Sequence, residues 1–169
     1  MGKPAAVDAH CMNYFQKERI GGLSGEATVA ISHILDNGHI ALDEEQHCYQ
    51  EWLDSAQGPA HLNLQDWVAE KLVEGKIKFY KVTRIADVRK SLNKLGLPSK
   101  DHKWLHLASS CRPSVLVSED SDLYEPASKL WPRAQKEKIK SEQKGCVCKY
   151  AKSELEVEVM RLCHVPVKY

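Results

Sequence analysis

Asp8 and the pair Asp120 and Asp122 stand out because each follows closely on a short apolar run. The runs are Ala5-Ala6-Val7 in one case and Val115-Leu116-Val117 in the other. Runs of this kind suit strands buried on both faces, and open α/β sheets gather ligands at the carboxyl ends of their strands. Two further carboxylates fall where they can point toward the same end: Glu51, on the helix expected after the second strand, and Asp101, in the first turn of the helix that precedes Ser114. Carboxylates crowded into one cleft repel one another unless a cation is present. Mg²⁺ and Mn²⁺ are hard ions that prefer such oxygen ligands. Two of them about 3.5–4 Å apart can activate a water and stabilise the leaving oxygen of a phosphodiester.

Taken singly, each acid has a plainer role. Asp8, Asp120 and Asp122 can be turn acids, Glu51 a solvated helix face, and Asp101 a charge that offsets a helix N-terminus. The signal is in their combination. Asp43, Glu44 and Glu45 compete with Glu51 for the second position. Asp43 reads as an N-cap, and Glu44 lies on the same helix face as Glu51.

The elements that must position these acids alternate between strand and helix. Strands are expected at Pro4 to Ala9, His39 to Leu42, Ile77 to Val82, Ser114 to Val117 and Glu156 to Met160. Helices are expected at Asn13 to Arg19, from an N-cap at Ser24 through Asn37, after Asp43, and at Leu64 to Glu74, Ile85 to Leu95, around Asp101 to Ala108 and at Val147 to Leu155. Asp43 with Gln46 three residues later has the pattern of a capping box. Cys48, Tyr49, Trp52, Leu53 and Ala56 recur at helical spacing as a buried stripe. This alternation predicts an α/β three-layer sandwich around a mostly parallel central sheet, as one domain over residues 1–169. The lysine-rich stretch around residues 131–145 reads as a solvated helix or an irregular insertion.

Composition is that of an ordinary globular chain, with 28% charged and 43% apolar residues and a formal net charge of +1, which argues against wholesale disorder. So small a net charge does not point to a strongly electrostatic nucleic-acid binder, although a local basic patch is compatible with it. No run approaches the roughly 20 apolar residues of a membrane span, and Asp8 and His10 interrupt the only apolar stretch near the N-terminus. A cytoplasmic protein with no membrane partner is therefore expected, its six cysteines free thiols.

Four strings resemble one family. Val7-Asp8-Ala9-His10 resembles the opening of PIN domains, where an Asp follows the first strand. Gln50-Glu51-Trp52 is similar to the family's Glu followed by an aromatic or aliphatic residue. Lys100 to Ala108 resembles its Asp-x-x-aromatic-Leu-x-Leu-Ala segment. Leu116-Val117-Ser118-Glu119-Asp120-Ser121-Asp122-Leu123 is similar to its Val-Thr/Ser-x-Asp-x-Asp-Leu segment, the strongest match of the four. The likeness covers roughly residues 4 to 125. His10 stands where the family usually has Asn.

The resemblance implies a PIN-like fold and an endoribonuclease dependent on Mg²⁺ or Mn²⁺. Asp8, Glu51, Asp101 and Asp120 would be its catalytic acids and metal ligands, Asp122 a further ligand, and Ser118 and His10 supporting residues. It implies an RNA substrate, a role as the toxin of a toxin–antitoxin pair or as a defence nuclease, and an antitoxin, another protein or a second copy of the chain as partner. The alternatives are a structure-specific DNA nuclease and a catalytically silent PIN-like binding or scaffold module.

Arg133, Lys136, Lys138 and Lys140 are the candidate phosphate contacts, although Glu137 and Glu142 dilute that stretch. Cys146, Cys148, Cys163 and His164 lack the C-x₂₋₄-C spacing of a zinc site. Phosphate-binding glycine loops are absent. A phosphatase of the haloacid-dehalogenase type needs Asp-x-Asp at the first strand, and Asp8-Ala9-His10 does not supply it.

Overall fold

The computed structural model describes residues 2–169. Five strands form one all-parallel sheet: β1 (Pro4–Val7), β2 (His39–Asp43), β3 (Ile77–Tyr80), β4 (Ser114–Val117) and β5 (Val157–Met160), in the order β3-β2-β1-β4-β5. Ala5, Ala6, Val7, Ile40, Ala41 and Leu42 are wholly buried, as are Leu116 and Val117. That burial is why these strands read as continuous apolar runs rather than as alternating ones. Helices flank the sheet to complete a three-layer α/β sandwich. They are α1 (Ala9–Ile20), α2 (Glu26–Asn37), α3 (His47–Ser55), α4 (Pro59–Val73), α5 (Ala86–Lys94), α6 (His102–Ser110), α7 (Arg133–Ser141), α8 (Cys146–Leu155) and the short α9 (Val165–Lys168). The chain builds outward from β1 to β3, then crosses back to β4 on the other side of β1. The gap between the carboxyl ends of β1 and β4 is thus a topological switch point, where open sheets leave room for a ligand.

Several boundaries differ from expectation for identifiable reasons. Ala9 opens α1 instead of closing β1, because the side chain of Asp8 caps the helix by accepting from the Cys11 N–H. Ser24 does not cap α2. Gly25 holds the cap position without a side chain, and Glu18 of α1 reaches across to accept from the N–H groups of Ala27 (3.3 Å) and Thr28 (2.6 Å). Asp43 does hold the start of α3, accepting from His47 N–H (2.7 Å) and Cys48 N–H (2.9 Å) from the end of β2. The capping box does not form, because Gln46 lies in the left-handed region (φ 62°) just before the helix. Glu156 also has a positive φ, 56°, as the residue that ends α8, so β5 begins one residue later than expected. α4 starts at Pro59 rather than Leu64, since proline is preorganised for a first helical turn. β3 stops at Tyr80, short of Val82. The lysine-rich stretch is helical, as α7.

Trp52 ties the layers together at the end that matters. Its indole Nε1–H donates to the Val7 carbonyl at 2.9 Å, and the side chain is buried. Trp52→Phe keeps most of the apolar contact but leaves that carbonyl without its partner. An unsatisfied buried acceptor costs about 1–3 kcal/mol. Urea unfolding should show a fall of this size with an unchanged m-value, and an unaltered midpoint would mean that the bond does not hold α3 in place.

Candidate metal centre

Sheet register dictates which side chains meet. Val7 is paired with Val117 in the β1–β4 ladder, so Asp8 and Ser118 leave the two strands side by side. The Asp8 N–H continues the ladder to the Val117 carbonyl (3.0 Å), and the Ser118 N–H does the same to Met160 (3.0 Å). The Ser118 hydroxyl donates to Asp8 Oδ2, while its oxygen accepts from the Asp120 N–H at 3.0 Å. One buried hydroxyl therefore links the acid after β1 to the acid after β4. Burial pushes the Asp8 carboxyl above its ordinary pKa, and the hydrogen bonds from Ser118 and Cys11 pull against it.

Asp120 extends this anchoring into the loop. Its Oδ1 accepts from the Asp122 N–H (2.9 Å) and caps a 3-10 turn over Ser121–Leu123. The Tyr124 hydroxyl, itself buried, donates to the Ser118 carbonyl (2.9 Å) and closes the loop from below. Asp101 arrives from the opposite direction, at the end of a 3-10 turn over Ser99–Asp101 that leads into α6.

Asp101, Asp120 and Asp122 each present a carboxylate oxygen, and these oxygens all lie within 4.8 Å of one another. Among the described residues this is the only such group of three or more His, Cys, Asp or Glu side chains. Asp101 is 6% exposed, and its Oδ2 is buried without a hydrogen-bond partner. Burial pushes the Asp101 carboxyl up to about 6, with Asp120 and then Asp122 and Glu51 adding to the rise and Lys100 opposing it. Asp122 is raised by the same two causes, burial first and then Asp120. Two unit charges this far apart repel by on the order of 3 kcal/mol at an effective dielectric of about 20. A buried aspartate with one oxygen unpartnered, beside two more carboxylates, is a donor set that suits a hard divalent cation.

Asp8, Glu51, Asp101 and Asp120 line one small cleft of about 40 Å³, together with His10, Lys100, Trp104 and Leu123. It has room for an ion whose ligands are mostly the cleft's own oxygens, with any larger ligand lying above it. The tightest group is not the expected four. Asp122 belongs to it, whereas Glu51, on α3, has its carboxylate ion-paired with Lys103 of α6. Lys100 and Lys103 flank Asp101 in the chain. Their positions one residue before and two after Asp101 are the only signal the sequence offers for them. His10 is exposed at the mouth of the cleft.

The residues expected to contact phosphate are placed differently. Lys140 is buried on the inner side of α7, where its ammonium pairs with Glu137 (2.8 Å) and Glu119 (3.6 Å). It lines a depression with Arg133 and Arg161 that also holds Glu18, Glu26, Glu119 and Glu137. So many carboxylates disfavour a phosphate backbone there. Lys136 donates to the Lys129 carbonyl (2.7 Å), and Lys138 is exposed. All six cysteines are free thiols. Cys146 faces the Glu125 carboxylate and Cys148 the Gln143 carbonyl. No helix among the described residues is long and apolar enough to cross a membrane. No protein-family model, curated protein or solved structure matches this chain.

Proposed function

We propose that the protein is a divalent-metal-dependent phosphodiesterase acting on RNA, a nuclease of the PIN-like kind that its motifs resemble. One observation carries this reading. Three carboxylates meet within 4.8 Å at the switch point of a parallel sheet, and one of them keeps a buried oxygen with no partner in the protein. Asp101, Asp120 and Asp122 would hold the ion, with Asp8 beside them. A bound Mg²⁺ or Mn²⁺ would lower the pKa of an attacking water and offset charge on the leaving oxygen.

The chain's own residues do the rest. Ser118 fixes Asp8 and Asp120 relative to each other through hydrogen bonds to both. Trp104 and Leu123 wall the cleft with apolar surface, which limits bulk water and strengthens electrostatic interactions inside it. Lys103 holds the Glu51 carboxylate and spares the cleft a further uncompensated charge. That same ion pair favours a second reading, a metal- and RNA-binding module without catalysis, in which Lys103 neutralises Glu51.

A cleavage assay on mixed RNA and DNA, with Mn²⁺ and with a chelator, separates them. The nuclease reading expects RNA to be cut only with the metal. Intact RNA under every divalent ion, alongside metal binding, would move the silent module to first place.

A further inference from the structure

The geometry points to a single-stranded RNA backbone lying in the groove between α3, the start of α5 and the start of α6, gripped by Arg84, Arg89 and Lys100. This rests on the phosphodiesterase reading and assigns the path by which the substrate reaches the acids. The groove is the most capacious depression among those described, about 750 Å³, within the roughly 300–1,000 Å³ range of sites that enclose a ligand. Glu51 and Lys100 line both it and the acid cleft, so the two are continuous.

Charge sets the occupant. Four cationic side chains line the groove against two carboxylates, Glu51 and Asp54. Glu51 takes up Lys103, which leaves Arg84, Arg89 and Lys100 to face a ligand. Arg89 and Lys100 are exposed, and among the described residues neither is ion-paired. Arg84 pairs with Glu45 at 2.9 Å, but both partners are more than half exposed, and an ion pair so placed is worth little and exchanges readily for phosphate. Buried His106 on the groove floor is held below its ordinary pKa by burial, then by His102, and then by the positive field of Arg84 and Arg89. Such a field attracts anions.

Shape and chemistry narrow the choice further. A duplex carries its phosphates on a stiff cylinder and would bridge a concave channel, whereas a single strand can follow one. No Phe, Tyr or Trp lines the groove among the described residues, and of its three imidazoles those of His102 and His106 are buried, which leaves His47 as the one exposed ring for a base to stack on. Binding should therefore run through the backbone and be tolerant of sequence.

The test is the affinity of a fluorescein-labelled oligouridylate for the full chain, by anisotropy in EDTA across a range of salt concentrations. Without metal no cleavage interferes. Each phosphate contact on a single strand contributes about −0.7 to the slope of log K against log salt. Arg89→Ala with Lys100→Ala should flatten that slope by about 1.4 units and weaken binding at low salt by at least about tenfold. Arg133→Ala with Lys138→Ala, on α7, should change neither. An unchanged slope in the groove variant, flattening by the α7 variant instead, or no binding by wild type would each overturn the inference. So would tighter binding of polyglutamate than of RNA, which would favour an acidic protein segment as occupant. Loss of affinity in the groove variant, together with a wild type that cuts nothing with Mn²⁺, would support the groove and sink the nuclease reading alone.

Discussion

Asp120→Asn is expected to abolish metal-dependent RNA cleavage, by at least about 10²–10³-fold, the cost of losing one preorganised electrostatic contact in other active sites. The protein should nonetheless stay folded. An amide keeps the size of the carboxylate, so the loop can retain its cap on the Asp122 N–H. It cannot supply the negative charge that a hard divalent ion needs. The attacking water would then keep a high pKa and the leaving oxygen would lack its counter-ion. Neutralising one of three mutually repelling carboxylates should also leave the metal-free fold as stable as before or more so. Single-turnover cleavage with Mn²⁺ and a thermal melt in EDTA check the two halves. Wild-type cleavage by the variant would remove Asp120 from the site. A large fall in the metal-free midpoint would show instead that its role is structural.

Divalent ions are expected to stabilise the wild-type fold in a pH-dependent way. An ion that binds only the native state adds about 2.7 kcal/mol at one hundred times its dissociation constant. For a chain of this length that corresponds to a rise of roughly 5–10 °C in Tm, at about 2–4 °C per kcal/mol. The sign of the pH effect follows from Asp101, whose carboxyl is pushed up to about 6 from 3.8. A carboxyl with a raised folded-state pKa favours the fold while protonated. In the metal-free protein that contribution is present below about pH 4, declines as pH rises toward 6, and is lost above it. The metal needs the ionised form, so its stabilising effect should grow through the same window as the proton leaves. Melts with Mn²⁺ and with EDTA should diverge more at pH 7.5 than at pH 5. Asp101→Asn should lose both the divergence and its pH dependence. A metal effect equal at the two pH values, or intact in Asp101→Asn, would mean that the ion binds elsewhere.

The sequence by itself determined the fold class and most of the elements. Apolar runs of strand length alternating with amphipathic helices admit little besides a buried parallel sheet between helical layers, and β4 is found at its expected bounds because Val115, Leu116 and Val117 leave no polar face to expose. The acids at strand ends were equally legible, because a strand's carboxyl end is a local property of the chain. What failed was also local in appearance but long-range in cause. Ser24 looked like a cap, yet Glu18 from another helix supplies the acceptors. Lys140 reads in sequence as a phosphate contact, yet Glu119, after β4, joins its helix neighbour Glu137 in pairing with it.

Only the tertiary structure decided which acids form the ion-sized group. Asp8 meets Ser118 through the β1–β4 register, and Glu51 meets Lys103 through the packing of α3 beside α6. No spacing along the chain encodes either encounter. The groove cations are a sharper case. Arg84 and Arg89 lie outside the acid motifs in sequence and come to line one groove with Lys100 and Lys103 only in the folded chain. Charge composition is a sum over the whole chain, so a net charge of +1 does not show where cations gather once the chain is folded.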